Sequence, residues 1–413
     1  MKKSLFTRIL PAIAMACAMN IFAADMVYNP SVENESTLET FLENASVLLD
    51  SSLHLDMNQT FGYNDNVDED ARSHRSSSWF SQTNVNADLV YNLDASNSFG
   101  LRAGVGYKPY FHRSKNDDTK GLSYYFGPVL NGSYTFGKNT LMVKAVSEYK
   151  ATELDRSKRV TTMEAINGIN LGWSNDITGK TTLALTADYT NKHFSDREYK
   201  GYNNQVYGVK FAPYWTASDR LRIGAVAGAE RTSYNHKDLH DDKNRFNFGL
   251  YSYYQLSART NIFAEAGAEQ TKYQSNTVSK AASDDKFKFY AKAGLNYTAS
   301  DDLNFRFAIG RSQEDSWGYA ARGLRSEYKA NLSATWQLTG KLTMTNAFAY
   351  KFNDEKTAKS DSDEYGYNLI FKYKYSDSIS IKAGYSIDIV DYDHRKGDYV
   401  ENEFSVGMTW AIK

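Results

Sequence analysis

The sequence predicts an all-β fold, a closed antiparallel transmembrane β-barrel of about 18 strands, with a short N-terminal helix before the first strand. Three observations predict this fold. Apolar and polar residues alternate with a period of two from about residue 49 onward, and short turns alternate with longer charged loops between these segments. Aromatic residues also gather near both ends of the segments. Together they favour a barrel whose outer wall faces lipid.

The two-residue period is clearest in residues 286–297, 364–375 and 401–412. In the first of these segments Phe289 and Leu295 alternate with side chains such as Lys288. Successive side chains of a strand point to opposite faces of the sheet, so each segment has one apolar and one polar face. No helical spacing competes with this pattern in these segments.

Two kinds of connection separate the predicted strands. Eight are short turns, such as Thr339-Gly340-Lys341. Nine are longer, charged loops near residues 64–77, 112–121, 151–159, 195–200, 235–243, 274–285, 313–324, 353–363 and 391–398. Eight turns and nine loops give about 18 strands with both chain ends on the short-turn side, the pattern of outer-membrane barrels with tight periplasmic turns and longer external loops.

The positions of the aromatic residues distinguish a membrane barrel from a β-sandwich, since both folds have two-faced strands. One group lies near the short turns and includes Trp173, Trp215, Trp336 and Trp410. A second group lies near the long loops and includes Tyr63, Trp79, Tyr107, Tyr149, Tyr189, Tyr350 and Tyr365. Smaller aliphatic residues lie between the groups, as expected for two membrane interfaces around a lipid-facing band.

Residues 1–24 predict a cleaved secretory signal peptide. Lys2 and Lys3 precede an apolar stretch at 10–19 that is too short to span a bilayer, and the small pair Ala23-Ala24 offers a cleavage site. Cys17 is interpreted as an apolar residue of that stretch, with a lipoprotein cysteine as the less favoured alternative.

Residues 25–48 are predicted to form a leader, and residues 49–413 the barrel. Ser36 and Glu39 make a capping box, and apolar residues follow at helical spacing, which predicts a short amphipathic helix over 34–47. A helix inside the lumen, acting as a plug, and a helix in the periplasm are both left open.

Composition excludes several classes of protein. A formal net charge of −1 is not that of a strongly basic nucleic-acid-binding protein. A mean hydropathy of −0.58 excludes a polytopic helical membrane protein. With 41% hydrophobic residues, including 31 Tyr and 22 Phe, the chain can bury a large surface, which argues against disorder.

Two segments carry a resemblance to a known family. Residues 63–67 (YNDNV) close the first predicted strand, and residues 86–92 (NADLVYN) end the second, with repeated hairpins following to the end of the chain. This arrangement resembles the β-barrel porins of Gram-negative bacteria, above all the second β-barrel porin family, sometimes linked to exopolysaccharide loci. The resemblance implies an outer-membrane location and a channel. One departure is the C-terminus, Trp410-Ala411-Ile412-Lys413, where barrels usually end on an aromatic residue.

Side chains that alternate with the apolar positions are expected to face the lumen. Eighteen strands form a barrel too wide to be filled by side chains, so an aqueous lumen is expected. The predicted lining residues of the strands from about 286 to 388 are the cations Lys286, Lys288, Lys292, Arg306, Lys329, Lys351, Lys372, Lys374 and Lys382 and the carboxylates Glu327 and Glu364, with Asp388. The rest of the wall is predicted to be more acidic, with residues such as Asp56, Asp88, Glu265 and Glu269. This segregation favours anionic or polar solutes, whereas charges that are merely solvated or paired across strands are the alternative.

The leading interpretation is therefore an outer-membrane channel for small polar, anionic or saccharide solutes. The alternatives are an outer-membrane component of exopolysaccharide export or surface assembly, and a barrel enzyme with its site at the rim. The expected partners are outer-membrane lipid and lipopolysaccharide, small polar solutes and the barrel assembly machinery. Nucleic acid is not expected, and a homo-oligomer is left open.

No motif of the sequence predicts catalysis, a cofactor or a metal. The sequence has no nucleophile elbow and no phosphate-binding loop. His236, His240, Asp241 and Asp242 could supply metal ligands, but their spacing in a charged loop is more typical of a solvated surface. Acidic loops could bind Ca²⁺ that bridges lipopolysaccharide phosphates, with an ordinary charged loop as the alternative.

Overall fold

The fold is described from a computed structural model of the chain. The described residues are 52–66, 77–94, 97–107, 125–126, 129–155, 160–195, 197–235, 242–274, 287–315, 324–354, 361–392 and 398–412. The predicted signal peptide, the leader with its helix over 34–47, and Lys286 lie outside the described residues.

Twenty strands and one short 3₁₀ helix form in these ranges. The strands are β1 (Ser52–Asn64), β2 (Ser78–Asp94), β3 (Asn97–Tyr107), β4 (Tyr125–Phe126), β5 (Val129–Phe136), β6 (Asn139–Asp155), β7 (Val160–Thr178), β8 (Thr181–Phe194), β9 (Asn204–Phe211), β10 (Tyr214–Ser218), β11 (Leu221–Tyr234), β12 (Lys243–Ser257), β13 (Thr260–Tyr273), β14 (Lys288–Ser300), β15 (Leu303–Asp315), β16 (Leu324–Thr339), β17 (Leu342–Asp354), β18 (Ser362–Lys374), β19 (Ile379–Tyr392) and β20 (Tyr399–Ile412). The 3₁₀ helix spans Arg197–Tyr202, inside a connection that the sequence predicts as a plain loop.

The strands form one closed antiparallel sheet of 18 positions, as predicted. β4 and β5 share one position beside β3, and β9 and β10 share another between β8 and β11. The last strand pairs with the first, from Leu55 opposite Ile412 to Asn64 opposite Glu403. Closure leaves no free sheet edge, which a sheet in lipid requires.

The segment Tyr63–Asn66 fastens this closing seam at its loop end. The Asp65 carboxylate accepts hydrogen bonds from the backbone N–H of Asn402 (2.6 Å) and from its Nδ2 (2.8 Å), and the Asp65 N–H donates to the Asn402 carbonyl (3.0 Å). Asn66 Nδ2 donates to the Val400 carbonyl at 3.0 Å, and Asn64 Nδ2 donates to a Glu401 carboxylate oxygen. Asn64 and Asn66 are fully buried. This part of the YNDNV motif therefore joins the first strand of the barrel to the last.

The short turns share a local pattern of hydrogen bonds. In six of the described turns a Ser or Thr hydroxyl at the end of the incoming strand accepts hydrogen bonds from backbone N–H groups two or three residues later, at Thr178, Ser218, Ser257, Ser300, Thr339 and Ser376. The hydroxyl replaces ladder partners that the chain loses where it reverses. The turn between β5 and β6 uses Gly137 instead, at a positive φ of 59°.

The break between β9 and β10 corrects one expectation. Pro213 lacks an N–H, and its position within a predicted strand suggests a bulge. However, Phe211 lies opposite Leu185 and Tyr214 lies opposite Thr182, so the register continues and no extra residue is inserted. Pro213 therefore interrupts the ladder without shifting it. Pro128 has a similar place in its predicted strand, so a bulge is expected there too, and this position lies outside the described residues.

Apolar side chains form the outer wall of the barrel. Leu250, Phe289 and Val406 are 67%, 58% and 58% exposed, and the girdle residues Trp215, Trp336 and Trp410 also point outward. Ring pairs such as Tyr63–Trp79 and Tyr350–Tyr365 lie near the long loops, with centroids 5.2 and 5.1 Å apart. Two aromatic belts on an exposed apolar wall agree with the sequence prediction. No helix in the described ranges has the length and apolar character needed to cross a membrane.

Candidate functional site: the inner wall of the barrel

The predicted lining residues share one face of the sheet. Residues of β14 to β19 that alternate with the apolar outer wall include Lys288, Lys292, Arg306, Glu327, Lys329, Lys351, Glu364, Lys372, Lys374 and Lys382. All ten positions therefore share the face of the sheet that is opposite the apolar wall. They fall into two groups at different heights, one toward the long loops and one toward the short turns.

The loop-end group is organised around Glu327, whose side chain is almost fully buried. One Glu327 oxygen lies 2.6 Å from Lys329 Nζ, and the other lies 3.5 Å from an Arg325 nitrogen and 3.9 Å from Lys351 Nζ. Lys351 Nζ also lies 2.9 Å from the Glu364 carboxylate. These strand side chains of opposite charge thus form one network across β16, β17 and β18.

Asn353 supports this network from the next inward position of β17. Its Nδ2 donates to Ser362 Oγ at 3.0 Å and to a Glu364 carboxylate oxygen at 2.9 Å, and its side chain is buried. Sequence reasoning identified neither Arg325 nor Asn353. Arg325 lies two residues before Glu327 on the same face of β16, a spacing that the sequence contains, whereas only the register places Asn353 opposite Glu327.

The turn-end group has a different arrangement. Lys372 and Lys382 lie directly opposite each other on β18 and β19. Arg306 lies between Asn296 and Ser333, its neighbours on the adjacent strands. Lys374 Nζ lies 2.9 Å from Asp377 in the following turn. Like charges directly opposite each other on one face of a sheet repel each other. Two positive charges so close together also raise the positive potential at this part of the wall.

The acidic part of the wall carries partners as well. Glu269 lies 3.5 Å from an Arg245 guanidinium nitrogen and accepts a hydrogen bond from the backbone N–H of Gln313 at 2.7 Å. Asp88 lies 2.8 Å from Arg102 Nε. Pairing across strands, the alternative to a purely segregated wall, is therefore present at several of these carboxylates.

Two inward tyrosines fill space against glycines. The Tyr251 ring lies over Gly224, where a Cβ atom would overlap it, and its hydroxyl lies 3.4 Å from the Ala212 carbonyl, at the break between β9 and β10. Tyr290 lies over Gly249 and Gly267, and its hydroxyl donates to Glu265 at 3.0 Å. Both tyrosines are buried. From the sequence, inward tyrosines such as Tyr251 and Tyr290 are expected either to form a sugar-stacking track or to fill the interface. Burial excludes sugar stacking for these two side chains.

The candidate metal loop is only partly described. His236 to Asp241 lie outside the described residues, and Asp242 caps a strand end by accepting a hydrogen bond from the Tyr234 N–H at 2.9 Å. Within the described part of the chain, no group of three or more His, Cys, Asp or Glu residues could hold a metal ion.

Known proteins resemble this chain in part of its sequence and in its fold. Residues 273–412 match the family model described as "Putative beta-barrel porin 2", which confirms the family resemblance over that part of the chain. A BenF-like porin from Pseudomonas fluorescens Pf-5 is 12% identical, with a TM-score of 0.51 over 88% of this chain and 100% of that chain. OpdQ from Pseudomonas aeruginosa is 12% identical, with a TM-score of 0.50 over the same shares. At these identities the structural likeness shows the fold alone. No curated protein matches the sequence.

Proposed function

We propose that this chain is a channel of the Gram-negative outer membrane through which small polar solutes diffuse. The observation that carries the proposal is the closed ring of strands with an apolar outer wall and a charged, hydrogen-bonded inner wall. The match of residues 273–412 to a porin family supports it. An 18-strand barrel encloses a lumen too wide for side chains to fill, which provides an aqueous path.

Charge on the inner wall determines which solutes pass most readily. Lys372, Lys382 and Arg306 attract anions at the turn end, while the loop-end network keeps Lys329 and Lys351 beside Glu327 and Glu364. A solute with a carboxylate or phosphate group exchanges part of its hydration for these fixed charges. We therefore propose a preference for small anions. The fixed charges of the wall attract and position the solute, and no covalent chemistry is involved. No catalytic step is assigned to the wall.

Conductance of the full mature chain in planar bilayers tests this function. We expect a steady, ohmic conductance and a reversal potential that indicates anion preference in a salt gradient. The double variant Lys372→Glu/Lys382→Glu should move the reversal potential toward cations, because it replaces two positive charges of the wall by two negative ones. Lys180→Glu/Lys341→Glu, which reverses two exposed charges in short turns, is the matched control and should leave the reversal potential unchanged.

Other outcomes would change the assignment. A barrel that conducts only after deletion of residues 25–47 would make the leader a plug and the channel a gated one. Silence of both the full and the shortened chain would contradict the diffusion channel and favour the alternative of an export component that needs a partner. An unchanged reversal potential in the double variant would contradict the proposed anion preference but not the channel.

A further inference from the structure

Charged residues on the outer wall are sorted by sign. Among strand residues whose side chains the structure describes, the outward positions hold three cations, Arg231 of β11, Lys272 of β13 and Arg311 of β15. The outward carboxylates are on other strands, at Asp354 of β17, Asp363 of β18 and Asp391 of β19. All six lie in the loop-side halves of their strands. One sector of the outer rim is therefore basic, and its neighbour is acidic.

Two of the three cations lie in one row across β11, β12 and β13, whereas Arg311 lies opposite Ala291 of β14. Arg231 lies opposite Asn244, which in turn lies opposite Lys272, so the two cations belong to one row. Strands are about 4.8 Å apart, which places the backbones of Arg231 and Lys272 about 10 Å from each other. Lys272 is exposed and has no ion-pair partner among the described residues. The Arg231 side chain is 54% exposed, and one of its guanidinium nitrogens lies 4.0 Å from the nearly buried Asp242 carboxylate.

Arg311 is held against the surface rather than extended from it. Its guanidinium lies over the Tyr328 ring, 5.5 Å from the centroid, and its Nε donates to the Tyr328 hydroxyl at 3.2 Å. It also donates to the Phe289 carbonyl and to Ser326 Oγ at 3.3 Å, so each of its three nitrogens has one partner in the protein, and only the remaining N–H groups can reach a ligand. These contacts orient a permanent positive charge at the outer face, where a planar guanidinium suits phosphate oxygens.

An apolar surface lies directly below this basic row. Phe248, Ala268 and Phe289 form one cross-strand row over β12, β13 and β14, and the two phenylalanines are 52% and 58% exposed. Phe246, also exposed, lies between that row and the cations. Arg231 and Lys272 above exposed aromatic and small residues match the order of an anionic headgroup above its acyl chains, and Arg311 lies beside this apolar row, next to Phe289.

We propose that the outer face of β11 to β15 binds lipopolysaccharide, with Arg231, Lys272 and Arg311 contacting its lipid-anchored phosphates and the phenylalanines contacting its acyl chains. The site rests on the outer-membrane location of the proposed function, in which long loops face outward. The acidic sector at Asp354, Asp363 and Asp391 repels phosphate, which confines direct binding to one side of the barrel. The site is separate from the lumen and needs no conducting channel.

Binding of bisphosphorylated lipid A to the refolded mature chain in neutral detergent, followed by native mass spectrometry, tests the proposal. The triple variant Arg231→Gln/Lys272→Gln/Arg311→Gln should weaken the apparent Kd at least tenfold. The matched control Lys180→Gln/Arg220→Gln/Lys341→Gln removes the same charge from the short turns and should change it less than twofold. Arg231→Gln/Lys272→Gln, which keeps the Arg311 contacts, should still weaken binding severalfold and serves if the triple variant does not fold.

Two further ligands distinguish the source of the phosphate. Dephosphorylated lipid A should bind the native chain as weakly as bisphosphorylated lipid A binds the triple variant, and inorganic phosphate at millimolar concentration should not displace the lipid. Equal affinity of the triple variant and the native chain, or equal losses in the triple variant and the control, would overturn the proposal. Displacement by inorganic phosphate would overturn its lipid source. Conductance of the same preparations separates the channel hypothesis from the lipopolysaccharide hypothesis. A barrel that does not conduct but still binds lipid A contradicts only the channel.

Discussion

At the scale of single residues, the inner wall pairs bulky or charged side chains with partners on adjacent strands. Glu327 gathers three cations, and Tyr251 and Tyr290 lie over glycines of the neighbouring strands. Charged residues satisfied in this way are costly to alter, because removing one partner leaves the others uncompensated. The residues most sensitive to substitution are therefore those at the centre of such groups.

Glu327→Gln is expected to make the lumen more anion-selective. The change removes the carboxylate shared by Arg325, Lys329 and Lys351, so the wall gains one net positive charge. We expect the reversal potential to move further toward anions and the free energy of unfolding to fall by about 1–3 kcal/mol. Urea unfolding and bilayer recordings measure the two effects.

Asp377→Asn is the control for Glu327→Gln, since its carboxylate pairs with Lys374 in a turn where its side chain is 82% exposed. An exposed pair contributes about 0–1 kcal/mol, so this variant should unfold close to the native chain. Equal destabilisation by the two variants would show that burial of Glu327 has no energetic role.

Gly224→Ala is expected to destabilise the barrel by about 1–3 kcal/mol, because the new Cβ atom overlaps the Tyr251 ring and displaces it from the break between β9 and β10. Gly340→Ala is the matched control, since a methyl group at this short turn would have no heavy atom of another residue within 4 Å beyond its chain neighbours. The two variants are compared by the midpoint of urea unfolding. The midpoint is the urea concentration at which half of the folded, faster-migrating band is lost on a gel. A native-like midpoint for Gly224→Ala would contradict the packing role of Tyr251.

At the scale of elements, the hairpins and the closing seam are stabilised by side-chain hydrogen bonds at strand ends. Ser and Thr hydroxyls cap the short turns, whereas Asp65, Asn64 and Asn66 join β1 to β20. The hairpins connect neighbours in the chain, but the seam joins strands more than 300 residues apart. Its pairing carries the largest loop-closure cost of the barrel, and its side-chain bonds offset part of that cost.

Asp65→Ala is expected to loosen the seam before any hairpin. Hydrogen bonds to a charged group contribute about 1.5–3 kcal/mol, and the variant loses both bonds to Asn402. Hydrogen exchange should accelerate first at the Asn402 amide and its neighbours in β20 and β1. The comparison variant is Asp398→Ala, which removes a cap on the Tyr392 N–H within one hairpin. Uniform acceleration around the barrel in both variants would contradict a specific role of the seam.

At the scale of the whole molecule, selectivity arises from the summed charge of the wall. We expect anion preference to weaken as ionic strength rises, since the screening length falls from about 10 Å at 0.1 M to about 3 Å at 1 M salt. Reversal potentials at a constant concentration ratio, recorded at low and high mean salt, measure this dependence. A preference that does not change with salt would indicate a narrow binding site instead of a distributed field.

Much of the architecture was predictable from local patterns. The eight short turns, the nine longer connections and the 18 strand positions follow from alternation and from turn residues, all of which are properties of neighbours in sequence. That the ten described residues share one face of the sheet follows in the same way, and their role as lining residues stays a prediction. The continuous register at Pro213 was not predictable, because a missing N–H indicates an interrupted ladder but not whether a residue is inserted.

The sequence by itself determined which residues share each face of the sheet, because side-chain direction alternates along every strand. Only the tertiary structure decided which charges meet. Register between strands brings Lys351 beside both Glu327 and Glu364, and it joins Asp65 to Asn402, more than 300 residues away. Those relations depend on how each strand is staggered against its partner, and no local pattern contains that stagger.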